Sequence, residues 1–314
     1  MSFKKFFLSL FVTLLAVVVI FGGATVARLF STGNLPESLA GLFDRAGDGK
    51  INILMMGLDD GKTRADTIMI ASVDKKNNSI KLLSIPRDTK VEVNGKTIKI
   101  NATMGYKSRE ELMITKVKEI TGIPIHYYAE VDFEGFKEIV DILGGIDYDV
   151  PYDMDYDDPV QNLHIHLKAG MQHLDGQAAH DYVRFRHNNN GTAPGDYALG
   201  DPGRINAQQA FLKELVRQKL QPQYLLKAPE LAKAISEHVT TNFTVAEGLK
   251  YVGMLRKMDA ESFQTFVLPG GSKMISGASY YIHDAEKTRQ LVLEEFGYPE
   301  EEAKKLITPV PDKK

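Results

Sequence analysis

The chain has 314 residues, no cysteine, 25% charged residues and a formal net charge of −3. Disulfides and thiolate metal sites are therefore excluded, and the negative balance argues against a general nucleic-acid-binding surface. The length outside the N-terminal apolar run suffices for one large domain or two small ones around a real core, and one domain is the simpler expectation.

Phe6 to Val26 runs without a charge directly after Lys4 and Lys5, which is long enough to cross a bilayer as a helix. The paired lysines favour an N-terminus-inside orientation and place the remainder on the outer side of the cell membrane. Gly22-Gly23-Ala24 keeps a cleaved signal peptide open as the alternative, and either reading exports the chain. The sequence thus divides into a cytoplasmic stub and single transmembrane anchor at residues 1–30 and a Gly-, Pro- and Ser-bearing linker at 31–50. A folded extracellular domain follows at 51–306, and a Pro- and Lys-containing tail at 307–314 is expected to fray.

Within that domain, Ile51–Gly57, Thr67–Val73 and Ser79–Pro86 are apolar, β-branched runs that predict core strands. Val91–Val93 and Thr97–Ile100 flank Asn94-Gly95, the dipeptide best suited to the positive φ angles of a tight hairpin. Ser108 with Glu111 fits a capping box opening a helix to Thr121-Gly122. Strands at Ile125–Val131 and Ile146–Val150 bracket a helix at Phe133–Leu143 closed by Gly144-Gly145. Helices are predicted at Asp175–Val183, Arg204–Leu220, Gln223–His238, Val245–Met258 and Asp284–Phe296, with a strand at Phe263–Leu268. Strands interleaved with helices indicate an α/β fold, an α/β/α sandwich with a central mixed sheet.

The chemistry-bearing residues fall between these elements. Asp59 and Asp66 flank Arg64 in a loop joining two core strands, where functional groups are commonly mounted, and their oxygens suit magnesium completed by a phosphate. A polar turn with a local Arg64–Asp66 ion pair is the plain alternative. Arg87-Asp88 follows the third strand. Arg184 and Arg186 alternate in Tyr182–Arg186, so an extended segment would aim both guanidinium groups one way, suited to bidentate phosphate recognition. An ordinary basic edge strand would show the same pattern. Arg204 opens a helix with Gln208 one turn later, and helix N-termini attract anions.

The order of these segments resembles the LytR-CpsA-Psr family of cell-wall phosphotransferases, which attach glycopolymers to peptidoglycan. The likeness is carried by Asn52–Gly57, Arg64-Ala65-Asp66-Thr67, Ser84–Thr89, Lys99-Ile100-Asn101, Tyr182–Arg186 and Gly203-Arg204. It implies a single-span anchor, a hydrophobic pocket for a polyprenyl chain, and Mg2+ bridging a pyrophosphate. Position by position, Asp59 and Asp66 match the acidic residues near magnesium. Arg64, Arg87, Arg184, Arg186, Arg204 and Gln208 match the pyrophosphate-binding set, with Lys99 and Asp88 beside them. Ala65, Ala102 and Ala207 depart from residues common in relatives, and Ala207 removes a charge near the site.

The implied reaction moves a glycopolymer phosphate, from teichoic acid, capsule or another wall polymer, off an undecaprenyl-pyrophosphate carrier onto peptidoglycan. The expected catalytic residues are Arg87, Arg184, Arg186 and Asp88, the last as general base for the attacking hydroxyl, with an ion pair to Arg87 as its plainer alternative role. Hydrolysis of the same pyrophosphate, or a non-catalytic lipid-binding regulatory module, remains as the alternative. The Asn- and Gly-rich stretch His187–Leu199 reads as a mobile loop. Asp153, Asp155, Asp157 and Asp158 read as a solvated acidic loop, since the turn glycine and closing glutamate of an EF-hand are lacking. His164 and His166 alternate on a predicted strand and read as ordinary surface histidines, with no third ligand at diagnostic spacing.

Overall fold

The structure, a computed structural model, describes residues 49–59, 61–219, 227–243 and 262–298. The predicted membrane anchor, the linker up to residue 48, the helix at Val245–Met258 and the C-terminal tail lie outside the described residues, and Lys50, expected to end the linker, opens the first strand. Among the described residues no helix is long and apolar enough to cross a membrane. The fold is α/β with a central mixed sheet. Chain contacts divide it into two compact units, one formed by residues up to Glu130 together with those from Gln264 onward, the other by Val131–Phe263.

The first unit is built on β1 (Lys50–Leu58), β2 (Ala65–Asp74) and β3 (Ser79–Ser84), joined in sequence order as antiparallel neighbours. With β6 (Tyr127–Val131) and β12 (Phe263–Val267), the sheet order is β6-β1-β2-β3-β12. Register places Leu54 and Met56 of β1 opposite Ile70 and Ile68 of β2 on one face, and Ile53 and Ile51 opposite Ala71 and Val73 on the other. All eight are buried, so both faces of these strands are covered, and this explains why the sequence reads as continuous apolar runs instead of strict alternation. Met113, Ile114 and Val117 of α1 (Arg109–Thr121) and Val292 and Phe296 of α6 (Ala285–Phe296) join the core of the Leu54 face.

Turn chemistry behaves as the sequence predicts. Asn94 and Gly95, at φ 51° and 73°, close the hairpin of β4 (Lys90–Val93) and β5 (Lys96–Lys99). Gly122, at φ 66°, ends α1 with its N–H on the Lys118 carbonyl at 2.8 Å. Ser108 sits at the N-cap of α1 without a side-chain capping bond, so only the position of the expected capping box is observed. A hairpin of β13 (Gly270–Ile275) and β14 (Ala278–His283) was not anticipated, because its first strand carries no buried residue and shows no apolar periodicity.

The second unit contains α2 (Phe133–Ile142), β7 (Ile146–Val150), β8 (Met154–Asp158), β9 (Leu163–Leu167), β10 (Gly170–Leu174), α3 (Gly176–Arg184), α4 (Asp201–Lys219), α5 (Ala228–His238) and β11 (Val239–Thr241). Asp132 and Asp175 cap α2 and α3 by accepting the N–H groups of Gly135 and Ala178, each at 2.8 Å, which satisfies donors that a helix start leaves unpaired. Tyr148, Tyr182 and Phe211 form an aromatic cluster with centroids 4.8–5.4 Å apart.

Three expectations are corrected here. Residues 154–158 form strand β8 and not a loop, because Met154 is buried and β9 supplies a hydrogen-bonding partner throughout. Tyr182–Arg186 is not an extended strand: Ala179 and Tyr182 lie buried at helical spacing, and α3 continues through Arg184. The stretch after Arg186 is tied down and not a free loop. Asn188 and Asn189 bond to β8, and Tyr197 is buried edge-on against Phe185 at 5.0 Å.

Close approach fixes one residue choice. A Cβ on Gly176 would run into the Lys137 carbonyl of α2, while its N–H donates to Asp141 at 2.7 Å. Gly176→Ala is expected to destabilise the chain by about 1–3 kcal/mol through overpacking, read by chemical denaturation of the full chain; unchanged stability would show that α2 and α3 move apart freely.

Candidate active site

The loop between β1 and β2 is shaped by Asp59. Its Oδ1 accepts the N–H groups of Thr63 at 2.8 Å and Arg64 at 3.1 Å, and Oδ2 lies 3.4 Å from the Thr63 hydroxyl. The main chain closes the same turn, with Asp59 N–H donating to the Arg64 carbonyl at 3.0 Å. A carboxylate has about four acceptor positions, so this bracing leaves Oδ2 capacity for a cation. Arg64 is exposed on the loop, and Asp66 stands partly buried on β2.

Asp66 pairs with Arg87, whose Nη1 donates to Asp66 Oδ1. This replaces the local Arg64–Asp66 pairing that the sequence allowed with a contact between β2 and the turn after β3. Asp88 has one oxygen 3.1 Å from Lys99 Nζ and the other 3.9 Å from Arg87 Nε. Asp66, Arg87, Asp88 and Lys99 thus form one alternating chain of charges within the first unit.

That chain rests on a pinned backbone. The carbonyls of Arg87, Asp88 and Thr89 accept the N–H groups of Asn101 at 3.1 Å, Tyr281 at 2.9 Å and Ile100 at 2.8 Å. Thr89 is fully buried, with its hydroxyl on the Pro86 carbonyl at 2.5 Å. Two segments, the Ile100-Asn101 turn and the strand carrying Tyr281, therefore hold three consecutive peptides, and the two charged side chains leave from a backbone with no slack. Tyr281, whose hydroxyl donates to the Leu268 carbonyl at 2.6 Å, belongs to the unanticipated hairpin and went unseen in the sequence.

Arg109 and Glu130 also escaped the sequence reading. The Arg109 guanidinium donates to the Lys62 carbonyl at 2.9 Å, to Glu110 at 2.8 Å and to Glu130 at 3.0 Å, tying the Asp59–Arg64 loop to α1 and β6. Glu130 is 2% exposed. A lone carboxylate among Tyr127-Tyr128-Ala129 and Val131 was the available signal.

In the second unit, Arg184 closes α3. Its guanidinium stacks 4.6 Å from the centroid of Phe133, and Nη2 donates to Gln161 at 2.7 Å. Phe185 is buried and Arg186 exposed, so the two arginines straddle the helix end instead of sharing a strand face. Arg204 is buried in the first turn of α4. Gln208 Nε2 donates to the Val183 carbonyl at 2.9 Å, satisfying one of the acceptors that a helix C-terminus leaves open. Gly203 has its own constraint, since a Cβ there would strike the Asp196 carbonyl.

The donor chemistry of the first unit fits magnesium. Asp59 and Asp66 offer hard oxygens, and Mg2+ ordinarily takes one or two carboxylates and completes its shell with water and phosphate. Among the described residues, groups of three or more His, Asp or Glu close enough to share an ion lie elsewhere.

Burial pushes the Glu130 carboxyl up to about 7, against the opposing charge of Arg109. Because this value lies above that of the unfolded chain, the protonated form favours the folded unit. The contribution is complete below the ordinary value of 4.5 and is lost as pH rises through about 7. The unfolding free energy is expected to fall over that window, and Glu130→Gln to flatten the slope in urea unfolding across a pH series; an unaltered slope would remove Glu130 as its source.

The model of the LytR_cpsA_psr family matches residues 32–295. The chain is 33% identical over 262 residues to the polyisoprenyl-teichoic acid–peptidoglycan teichoic acid transferase TagV of Bacillus subtilis (strain 168), covering 79% of this chain and 65% of that protein. It is equally 33% identical over 248 residues to TagU of Bacillus cereus (strain AH820), a transferase of the same description, covering 76% of this chain and 75% of that one. The crystal structure of B. subtilis TagV is similar with a TM-score of 0.65 at 31% identity, covering 81% of this chain and 100% of that one. With a family match across most of its length and relatives alike in sequence and fold, the chain belongs to the LytR-CpsA-Psr family.

Proposed function

We propose that the chain is a phosphotransferase of cell-wall assembly. It moves a phosphate-linked glycopolymer from an undecaprenyl-pyrophosphate carrier to a peptidoglycan hydroxyl on the outer side of the membrane. The observation that carries this reading is the Asp66–Arg87–Asp88–Lys99 charge chain on its pinned backbone. The family membership and the transferase names of the relatives support it. The uncharged run Phe6–Val26 after Lys4 and Lys5 supports a single-pass anchor with the N-terminus inside.

In the reaction, the acceptor hydroxyl oxygen forms a bond to the polymer-bearing phosphorus while the bridging pyrophosphate bond breaks, and the lipid leaves as polyprenyl phosphate. Charge accumulates on the phosphoryl oxygens and the leaving group, so positioning and electrostatics are the main catalytic tasks. Arg87, held by Asp66, and the exposed Arg64 supply fixed positive charge in the first unit; Arg184 and Arg186 supply guanidinium groups in the second. Asp88, oriented between Lys99 and Arg87, takes the proton of the attacking hydroxyl. Magnesium held by Asp59 and Asp66 would neutralise pyrophosphate charge. Gln208 holds the end of α3, from which Arg184 projects, and Arg204 lies buried in the first turn of α4.

The test uses full chain in detergent with isotope-labelled lipid-linked polymer, with and without peptidoglycan. Label is expected on peptidoglycan, with the rate lowered roughly 10²-fold or more by Arg87→Ala and abolished by chelation of divalent ions. Polymer released at the same rate without acceptor would make the chain a pyrophosphatase, and attachment undiminished by Arg87→Ala together with Arg184→Ala would make it a non-catalytic module.

A further inference from the structure

The β8–β9 hairpin of the second unit carries a group of side chains that polymer transfer does not use. Antiparallel register sets Asp157 opposite His164 and Asp155 opposite His166. Met154, Leu163, Ile165 and Leu167 are buried, so the pleat turns the four polar residues outward together. Directly opposed residues in a sheet have Cβ atoms roughly 5 Å apart, which brings imidazole and carboxylate within reach of one ion. His164 Nδ1 lies 2.5 Å from Asp157 Oδ1, and His166 Nε2 lies 3.4 Å from the same oxygen. One ligand atom from each of the three residues falls within 4.8 Å of the others.

Asp155 supplies an independent feature. Its Oδ1 is 2.8 Å from His166 Nδ1, which orients the ring and leaves Nε2 facing Asp157 and His164. A carboxylate bonded to the distal nitrogen of a ligating histidine is the usual outer support of a metal centre. The hairpin backbone is braced as well. Asn188 and Asn189 side chains accept the N–H groups of Asp155 and Asp157 at 2.8 and 3.1 Å, and Asn189 N–H donates to the Asp155 carbonyl at 3.0 Å. Third ligand and outer carboxylate both come from across the strand pair, which is why spacing along the chain did not reveal them.

We propose that His164, His166 and Asp157 form a site for a divalent transition-metal ion of the zinc class, with Asp155 as the orienting carboxylate and a fourth position open to water. Two imidazoles and one carboxylate suit such an ion, whereas calcium and magnesium prefer all-oxygen shells. The one other three-residue group among the described residues, Glu138, Glu237 and His238, is less suited. It offers a single imidazole beside two carboxylates. The metal would lock a hairpin whose Gln161 holds Arg184, yet the site stands on its own residues whether or not the chain transfers polymer.

The test is calorimetric titration of metal-depleted full chain with zinc chloride. One equivalent is expected to bind, His164→Ala/His166→Ala to abolish binding, Asp155→Ala to weaken it roughly 10- to 100-fold, and Glu138→Gln to leave it unchanged. No zinc uptake by the unaltered chain, or uptake undiminished in the double variant, would overturn the assignment. A second measurement needs no variant: the Co2+-loaded wild type is expected to show paramagnetically shifted imidazole resonances in its NMR spectrum, and their absence would equally overturn it.

Discussion

Three consecutive main-chain carbonyls, at Arg87, Asp88 and Thr89, are held by amides from two other stretches of chain, Ile100-Asn101 and Tyr281. The order of the first unit's charged residues depends on this constraint. Arg87 and Asp88 carry long, rotamer-rich or strongly solvated side chains that would otherwise sample many directions, and a phosphate-binding group is useful only when preorganised. Fixing the peptides removes backbone freedom. The Asp66 and Lys99 pairings then limit the side chains.

The loop bearing Asp59 and Arg64 follows the same logic through different bonds. Asp59 closes the turn from inside, and Arg109 holds the Lys62 carbonyl from outside while anchored on a nearly inaccessible Glu130. A guanidinium suits this role because its donors are set in a rigid fork and reach three separate acceptors at once. In the second unit the comparable device is neutral. The Gln208 amide caps α3 at Val183, and Gln161 accepts a hydrogen bond from Arg184 while Phe133 supports its face. Charged groups of each unit are thus steadied by contacts from neighbouring elements of the same unit.

Much of the first unit was legible because its signals are local. Apolar runs, Asn94-Gly95 and the Gly122 helix stop depend on period, φ preference and capping, all properties of neighbouring residues. Helix against strand at Tyr182–Arg186 was misjudged for a physical reason. Alternating arginines satisfy a strand's period, but Ala179 and Tyr182 at helical spacing bury more surface and carry α3 to Arg184. Acidic residues 153–158 misled in the same way, since their charge described the outer face of β8 while the buried Met154 and the β9 partner determined its conformation.

By itself the sequence determined the ordered motifs that mark the family and the α/β class, because residue type and order are sufficient to state them. Only the tertiary structure decided which groups pair: Asp66 with Arg87 and not Arg64, Arg109 with the Lys62 carbonyl and Glu130, Gln208 with Val183, and Asp155 and Asp157 with His166 and His164. Each of these contacts joins segments whose separation along the chain bears no relation to their distance in space. Pairing across strands and between elements is fixed by register and packing, which are properties of the folded whole.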